Sequence, residues 1–231
     1  MASCCEIKSN KPYVVSAFLL LGLLPLSSNV SSSYLVLIEF ETVVEPIGVC
    51  YGRVAKNLPP DPEVISLYQA NGITRMRIFY PNPPTLQALS ISNIELIIVV
   101  QNQDIQSLGN DIGAATALLE NNVLNYFPDV KFRYLAVGNE INPQDAEAKY
   151  VLLAMQNIKT TIASAHLQDQ IKVSTAIDMS LLGSSYPPSA GSFSKAASSY
   201  INLIITFLAS NGSLLLANVY PYFSYIGDTK C

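Results

Sequence analysis

The chain has 231 residues, half of them apolar and 13% charged, which is enough for a buried core and too apolar for a disordered chain. Its 13 Lys and Arg against 17 Asp and Glu give a net charge of −4, which excludes the clustered positive surface that nucleic acid requires. With one histidine (His166) a multi-histidine metal centre is excluded, and with no tryptophan any flat ligand platform must be Tyr or Phe.

Residues 1–33 read as a secretory signal. Lys8 and Lys11 precede an apolar stretch at 14–26 (VVSAFLLLGLLPL), and a Ser-rich tail follows at 27–33. The stretch is short for a bilayer span; an uncleaved signal anchor is the alternative, and Pro25 and the small residues after it weigh against it. Cys4 and Cys5 leave with the leader. Cys50 and Cys231 remain, too few for a disulfide scaffold, and Cys50 reads as a small side chain buried in a strand. His166 lies in a polar helical stretch and reads as a surface residue. Of two Asn-x-Ser sequons, the one at Asn29 goes with the leader and the one at Asn211 falls in a Gly-containing turn.

Residues 34–46 (YLVLIEFETVVEP) form an atypical linker, strand-prone and carrying Glu39, Glu41 and Glu45. From residue 47 strand and helix signals alternate. A short apolar run at 47–51 precedes a Pro-rich loop and a helix at 62–71, which Gly72 stops. A strand at 74–79, a helix at 83–90 with Pro in its first turn, and an unbroken apolar strand at 95–100 follow. Apolar residues at helical spacing mark 112–125. A strand at 134–137 then runs into Gly138-Asn139-Glu140, and a long helix at 146–165, a strand at 172–176, a helix at 192–210 and a strand at 214–219 complete the pattern. The strands recur about every 33 residues, as repeated βα units do.

A doubly wound sheet calls for a Gly-rich turn after the first strand; here that turn is Gly52-Arg53-Val54-Ala55-Lys56-Asn57, with no second glycine. A (β/α)8 barrel calls instead for polar and aromatic residues just after each strand. The chain supplies them in Tyr51, Phe79-Tyr80, Asn102, Asn139-Glu140, Asp178 and Tyr220-Pro221-Tyr222-Phe223. The fold class predicted is therefore a (β/α)8 barrel of which about six βα units are present. Eight units would need about 264 residues.

Glu140 is the candidate proton donor. It follows an apolar strand and a glycine, and a carboxyl group placed beside apolar walls can hold a proton at neutral pH. Asn139 beside it can hydrogen-bond a substrate hydroxyl. Gly-Asn-Glu is also an ordinary strand-to-loop turn, since each residue favours turns. The rim aromatics, with Asn, Asp and Gln interspersed, fit a neutral polyol, although singly each could pack under a loop.

Six segments together resemble one family: Ile47-Gly-Val-Cys-Tyr-Gly52, Arg75-Met-Arg77, Val137-Gly-Asn-Glu140, Lys172-Val-Ser-Thr175, Tyr186-Pro-Pro-Ser-Ala-Gly191 and Ala217-Asn-Val-Tyr-Pro-Tyr-Phe223. They are similar to the plant endo-1,3-β-glucanases of glycoside hydrolase family 17, over roughly residues 47–225. The resemblance implies a (β/α)8 barrel, secretion to wall or vacuole, and retaining hydrolysis of internal bonds in β-1,3-glucan with Glu140 as acid/base. Asn139, Phe79, Asn102 and Tyr220 are the expected substrate-binding residues. No metal, cofactor, nucleic acid or stable membrane partner is implied, and the oligomeric state stays open. The family usually has Tyr at Phe79 and Asp at Tyr80, so one substrate hydrogen bond is expected to be missing. It also takes its nucleophile from a Glu after the seventh strand, whereas this chain ends at Cys231 after the sixth, so residues 47–231 read as an incomplete barrel domain without an identified nucleophile. The alternative reading is a secreted, non-catalytic glucan-binding or stress-related protein, which would bind glucan without cutting it.

Overall fold

Parallel strands cannot be joined by tight turns, so a chain that pairs successive strands in parallel must return through a helix each time. In the structure, a computed structural model that describes residues 47–222 and Ile226, it does so repeatedly. The expected leader (1–33), the linker (34–46), Phe223 and Cys231 lie outside the described residues. One sheet holds β1 (Gly48–Tyr51), β2 (Arg75–Ile78), β3 (Glu95–Val100), β4 (Lys131–Asn139), β5 (Lys172–Asp178) and β8 (Leu216–Asn218), neighbours in chain order and all parallel. The crossovers carry α1 (Asp61–Ala70), α2 (Pro83–Leu89), α3 (Ile105–Asn110), α4 (Ile112–Asn122), α5 (Ala148–Ser164) and α6 (Lys195–Ser210). Among the described residues these are five successive βα units and a sixth strand of the (β/α)8 barrel fold.

Local chemistry sets the element ends. Asn82 caps α2 by accepting the Thr85 N–H at 3.1 Å, with Pro83 and Pro84 in the turn where a missing N–H costs nothing. Ser194 caps α6 through the Ala197 N–H at 3.1 Å, which starts that helix at Lys195 rather than at the expected 192. At the other end of α1, Gly72 takes φ +68°. Its N–H bonds Gln69 O and the Ile73 N–H bonds Tyr68 O, the paired bonds of a Schellman stop. The same pair of bonds ends α5 at His166, in the same left-handed conformation at φ +58° and exposed.

The core lies between the sheet and its helices. Met76, Ile78, Leu96, Ile98, Val100, Leu135, Val137, Val173 and Ile177 point from the strands into it. Val151, Ala154, Met155, Ile158 and Ile162 meet them from one stripe of α5, at helical spacing. Truncating Ile158, which is fully buried, to Ala is expected to cost about 2–5 kcal/mol.

Three features depart from the sequence expectations. A short 3₁₀ turn (Asn102–Asp104) and α3 follow β3 directly, where the polar run and Gly109 hide a helix whose only apolar signal is Ile105 and Leu108, both buried. The loop after β5 holds an antiparallel hairpin of β6 (Leu182–Ser184) and β7 (Ser192–Phe193), too short to show periodicity. Cys50 is exposed rather than buried, because among the described residues β1 is the edge strand of the sheet.

Candidate active site at the strand ends

Side chains alternate along a strand, so Leu135 and Val137, both in the helix-facing core, would put Asn139 on that face too. It does not go there. Between β4 and β5, Ala136 pairs with Ser174 and Asn139 with Ala176, so three steps on one strand match two on the other. The extra residue of this bulge is Gly138, at φ +79°, and its effect is to turn Asn139 to the inner face. A Cβ on Gly138 would stand 2.7 Å from Ile141 Cδ1 and 2.8 Å from Ile105 Cδ1. The positive φ is what favours glycine there, and a larger residue would also push the ends of the Ile141 and Ile105 side chains aside.

Glu140 follows at φ +57°, uncommon for a residue with a Cβ, and its N–H bonds Ala176 O at 2.8 Å. Its carboxylate is met by two neutral donors from β8 and the residues that follow it. Asn218 Nδ2 donates to Oε1 at 2.6 Å, and the Tyr220 hydroxyl donates to the same oxygen. The Tyr220 phenol is pushed up to about 12, first by burial and then by its bond to Glu140 and that residue's charge, so it remains a neutral donor through the neutral range. The sequence reading placed Glu140 against apolar walls; its immediate partners are polar.

Behind the carboxylate sits Arg77, 8% exposed, on the inner face of β2. Its Nη1 donates to Asn218 Oδ1 at 2.7 Å and its Nη2 to Asn139 Oδ1 at 2.6 Å, while Asn218 Nδ2 also reaches Asn139 Oδ1 at 3.0 Å. The guanidinium fixes which way both carboxamides point. Asn218 accepts from the cation and donates to the anion, and such a relay strengthens each bond by polarising the next. Asn139 Oδ1 is fully used, so what this amide can still offer a ligand is its NH2 group.

Phe79 lies beneath Arg77, with the guanidinium carbon 4.9 Å from the ring centroid, and is half-buried. Asn102 directs both ends of its amide to the backbone of Asn139: Nδ2 to the carbonyl at 3.0 Å, and Oδ1 accepting the N–H at 2.8 Å. Of the sequence-named residues, Asn139, Glu140, Asn102, Phe79 and Tyr220 thus meet around one point. Asp178 instead caps the 3₁₀ turn after β5, accepting from the Ser180 N–H and hydroxyl. Tyr51, expected at the rim, is 7% exposed, packs edge-on against Tyr68 and bonds Asp61 at 3.3 Å. Arg77 and Asn218 had no role assigned from sequence. Their signal was a charged side chain in a buried strand (RMRI) and an amide inside an apolar run (LLLANV).

A cluster of one carboxyl group, three carboxamides, a guanidinium and a phenol thus lies at the carboxyl ends of parallel strands, the place where (β/α)8 barrels carry their active sites. The chain belongs to glycosyl hydrolases family 17, whose pattern matches residues 47–231. It is 54% identical over 224 residues to a glucan endo-1,3-beta-glucosidase of Vitis vinifera, covering 96% of this chain and 61% of the relative. A glucan endo-1,3-beta-glucosidase of Pisum sativum is 50% identical over 187 residues, covering 80% and 50%. Among solved structures, CJP38, a beta-1,3-glucanase and allergen of Cryptomeria japonica pollen, superposes with a TM-score of 0.77 at 40% identity, covering 81% of this chain and 59% of that one. The chain thus spans about half to three-fifths of the length of these relatives.

Proposed function

We propose that the protein acts in the hydrolysis of internal β-1,3-glucosidic bonds of β-1,3-glucans, with Glu140 as the acid/base of a retaining mechanism. The observation that carries this reading is the way Glu140 is held. Both neighbouring donors bond Oε1, which leaves Oε2 to carry the proton that passes to the leaving glycosidic oxygen. In the second half of the reaction the same oxygen takes a proton from the attacking water. Asn139, anchored through Oδ1 by Arg77 and Asn218, presents its NH2 to a sugar hydroxyl, and Phe79 and Tyr220 supply flat surface for the ring.

A retaining mechanism also requires a second carboxylate roughly 5 Å from the first. Among the described residues, the carboxylate that this cluster holds is Glu140, and we read these residues as the acid/base half of the site. The test is a chimera in which residues 47–231 replace the matching part of the grapevine relative. It is expected to release reducing ends from a soluble β-1,3-glucan, and Glu140→Gln is expected to lower kcat by about 10²–10⁴-fold. A folded chimera that releases none, or one that Glu140→Gln leaves active, overturns the reading. The apolar leader at 14–26 supports delivery to the secretory route, to wall or vacuole, and N-terminal sequencing of the protein recovered from plant tissue checks it.

A further inference from the structure

β3 ends at Val100, two residues before Asn102, while β4 runs on to Asn139. The last ladder pair between them is Val100 with Val137. Beyond it, the Asn139 N–H and C=O that face β3 have no strand opposite them. The Asn102 carboxamide takes that place, an acceptor for the N–H at 2.8 Å and a donor for the C=O at 3.0 Å, as a further strand residue would be. On the opposite side of the same segment the Glu140 N–H bonds Ala176 O at 2.8 Å.

We infer that Asn102 is a positioning residue for Glu140: its side chain extends the β3–β4 ladder by one rung and so holds the bulged segment in the backbone conformation that aims the carboxylate at Asn218 and Tyr220. This rests on the acid/base reading of Glu140. The bulge itself makes a clamp necessary. Gly138 and Glu140 both take positive φ, and an L-residue such as Glu140 keeps that conformation only where its surroundings over-determine it. With Ala176 on one flank and Asn102 on the other, the peptide between them has no freedom to rotate. One N–H and one oxygen lone pair of the Asn102 amide are used in this way, which gives it a supporting role for the acid/base beside the substrate contact that its sequence position indicates.

Asn102 is exposed, so water can replace its two bonds once they are lost. The consequence of removing it is therefore a loss of orientation far more than a loss of fold, and this separates the two roles experimentally. In the ¹⁵N-labelled chain, Asn102→Leu is expected to speed hydrogen exchange of the Asn139 N–H by about tenfold or more. It is also expected to move the side-chain NH2 resonance of Asn218, which reports where the Glu140 carboxylate lies, while the melting temperature shifts by only about 2 °C or less. Asn102→Asp keeps the acceptor and loses the donor, so exchange at the Asn139 N–H stays within about threefold of the parent while the Asn218 resonance still moves; it serves as well if the Leu variant does not fold. A folded Leu variant with unchanged exchange, or one with faster exchange and an unmoved Asn218 signal, overturns the inference. In the grapevine chimera, Asn102→Leu is expected to lower kcat about tenfold with KM within about twofold. An inactive parent chimera would overturn the glucanase reading and leave the resonance measurements to decide the clamp.

Discussion

Two of the arginine-centred polar clusters among the described residues hold their carboxylates in different ways. Under the first two βα loops, Arg53 pairs directly with Asp61, the first residue of α1. Thr85 donates to the same Asp61 oxygen at 2.9 Å and Tyr51 at 3.3 Å, and Asp61 is 7% exposed. At the strand ends, Arg77 donates to Asn218 and Asn139, and Asn218 in turn donates to Glu140. The Arg53–Asp61 pair ties the loop after β1 to the start of α1 and, through Thr85, to α2. Glu140 is instead held by two neutral donors, and on the proposed reading its second oxygen carries the proton in transit. The two clusters thus differ in the amide of Asn218, which links the second arginine to its carboxylate by a relay of hydrogen bonds.

Breaking the first cluster is expected to have the largest effect on stability. Asp61→Ala leaves a largely buried guanidinium without its counter-charge and should cost about 3 kcal/mol in urea denaturation, whereas Asp61→Leu combined with Arg53→Met should recover much of it. Should the single and double replacements cost the same, the pair is not the tie described. Next in size, Gly138→Ala should lose about 1–3 kcal/mol, from the forced positive φ and the crowding against Ile105 and Ile141, and should also remove activity from the chimera.

Tyr220→Phe sharpens the contrast from the other side. It removes one donor from Glu140 Oε1, with an expected fall in kcat of about tenfold or more and a melting temperature within about 1 °C. An equal loss of stability would make the second cluster a tie like the first. The smallest effect is alkaline. The phenols of Tyr220 and Tyr200 are both pushed up to about 12, Tyr200 chiefly by burial, whereas an unfolded tyrosine ionises near 10. The folded state therefore holds these protons more tightly than the unfolded chain. Their contribution is intact below pH 10 and declines as pH rises towards 12, which urea midpoints at pH 9, 10.5 and 11.5, with phenolate absorbance, will show or refute.

Much of this was legible in the sequence because strand and helix periods differ and a parallel sheet repeats them. The ELIIVV strand, the Pro83 helix start and the Gly72 stop each depend on local chemistry that a short window contains. Glu140 was legible through its own motif. Arg77 and Asn218 were not, because what makes them matter is a bond across 141 residues of chain, which no local pattern encodes. Asn102 was legible as a rim residue and illegible as a clamp. Its role depends on β3 stopping two residues short of it while β4 continues, a difference in strand length visible only once the two are paired.

The order of strands in the sheet is the order in which a ribosome delivers them. Each strand pairs with the one made just before it, so the scaffold can grow by accretion during synthesis, each loop closing over a single unit. The Arg77–Asn218 bond follows a different schedule, since its partners emerge far apart. Until the sixth strand arrives, Arg77 has no Asn218 to bond and Glu140 has neither of its donors from that segment. In a chain built this way the framework precedes the polar cluster, and the surroundings of Glu140 are completed only when the sixth strand docks.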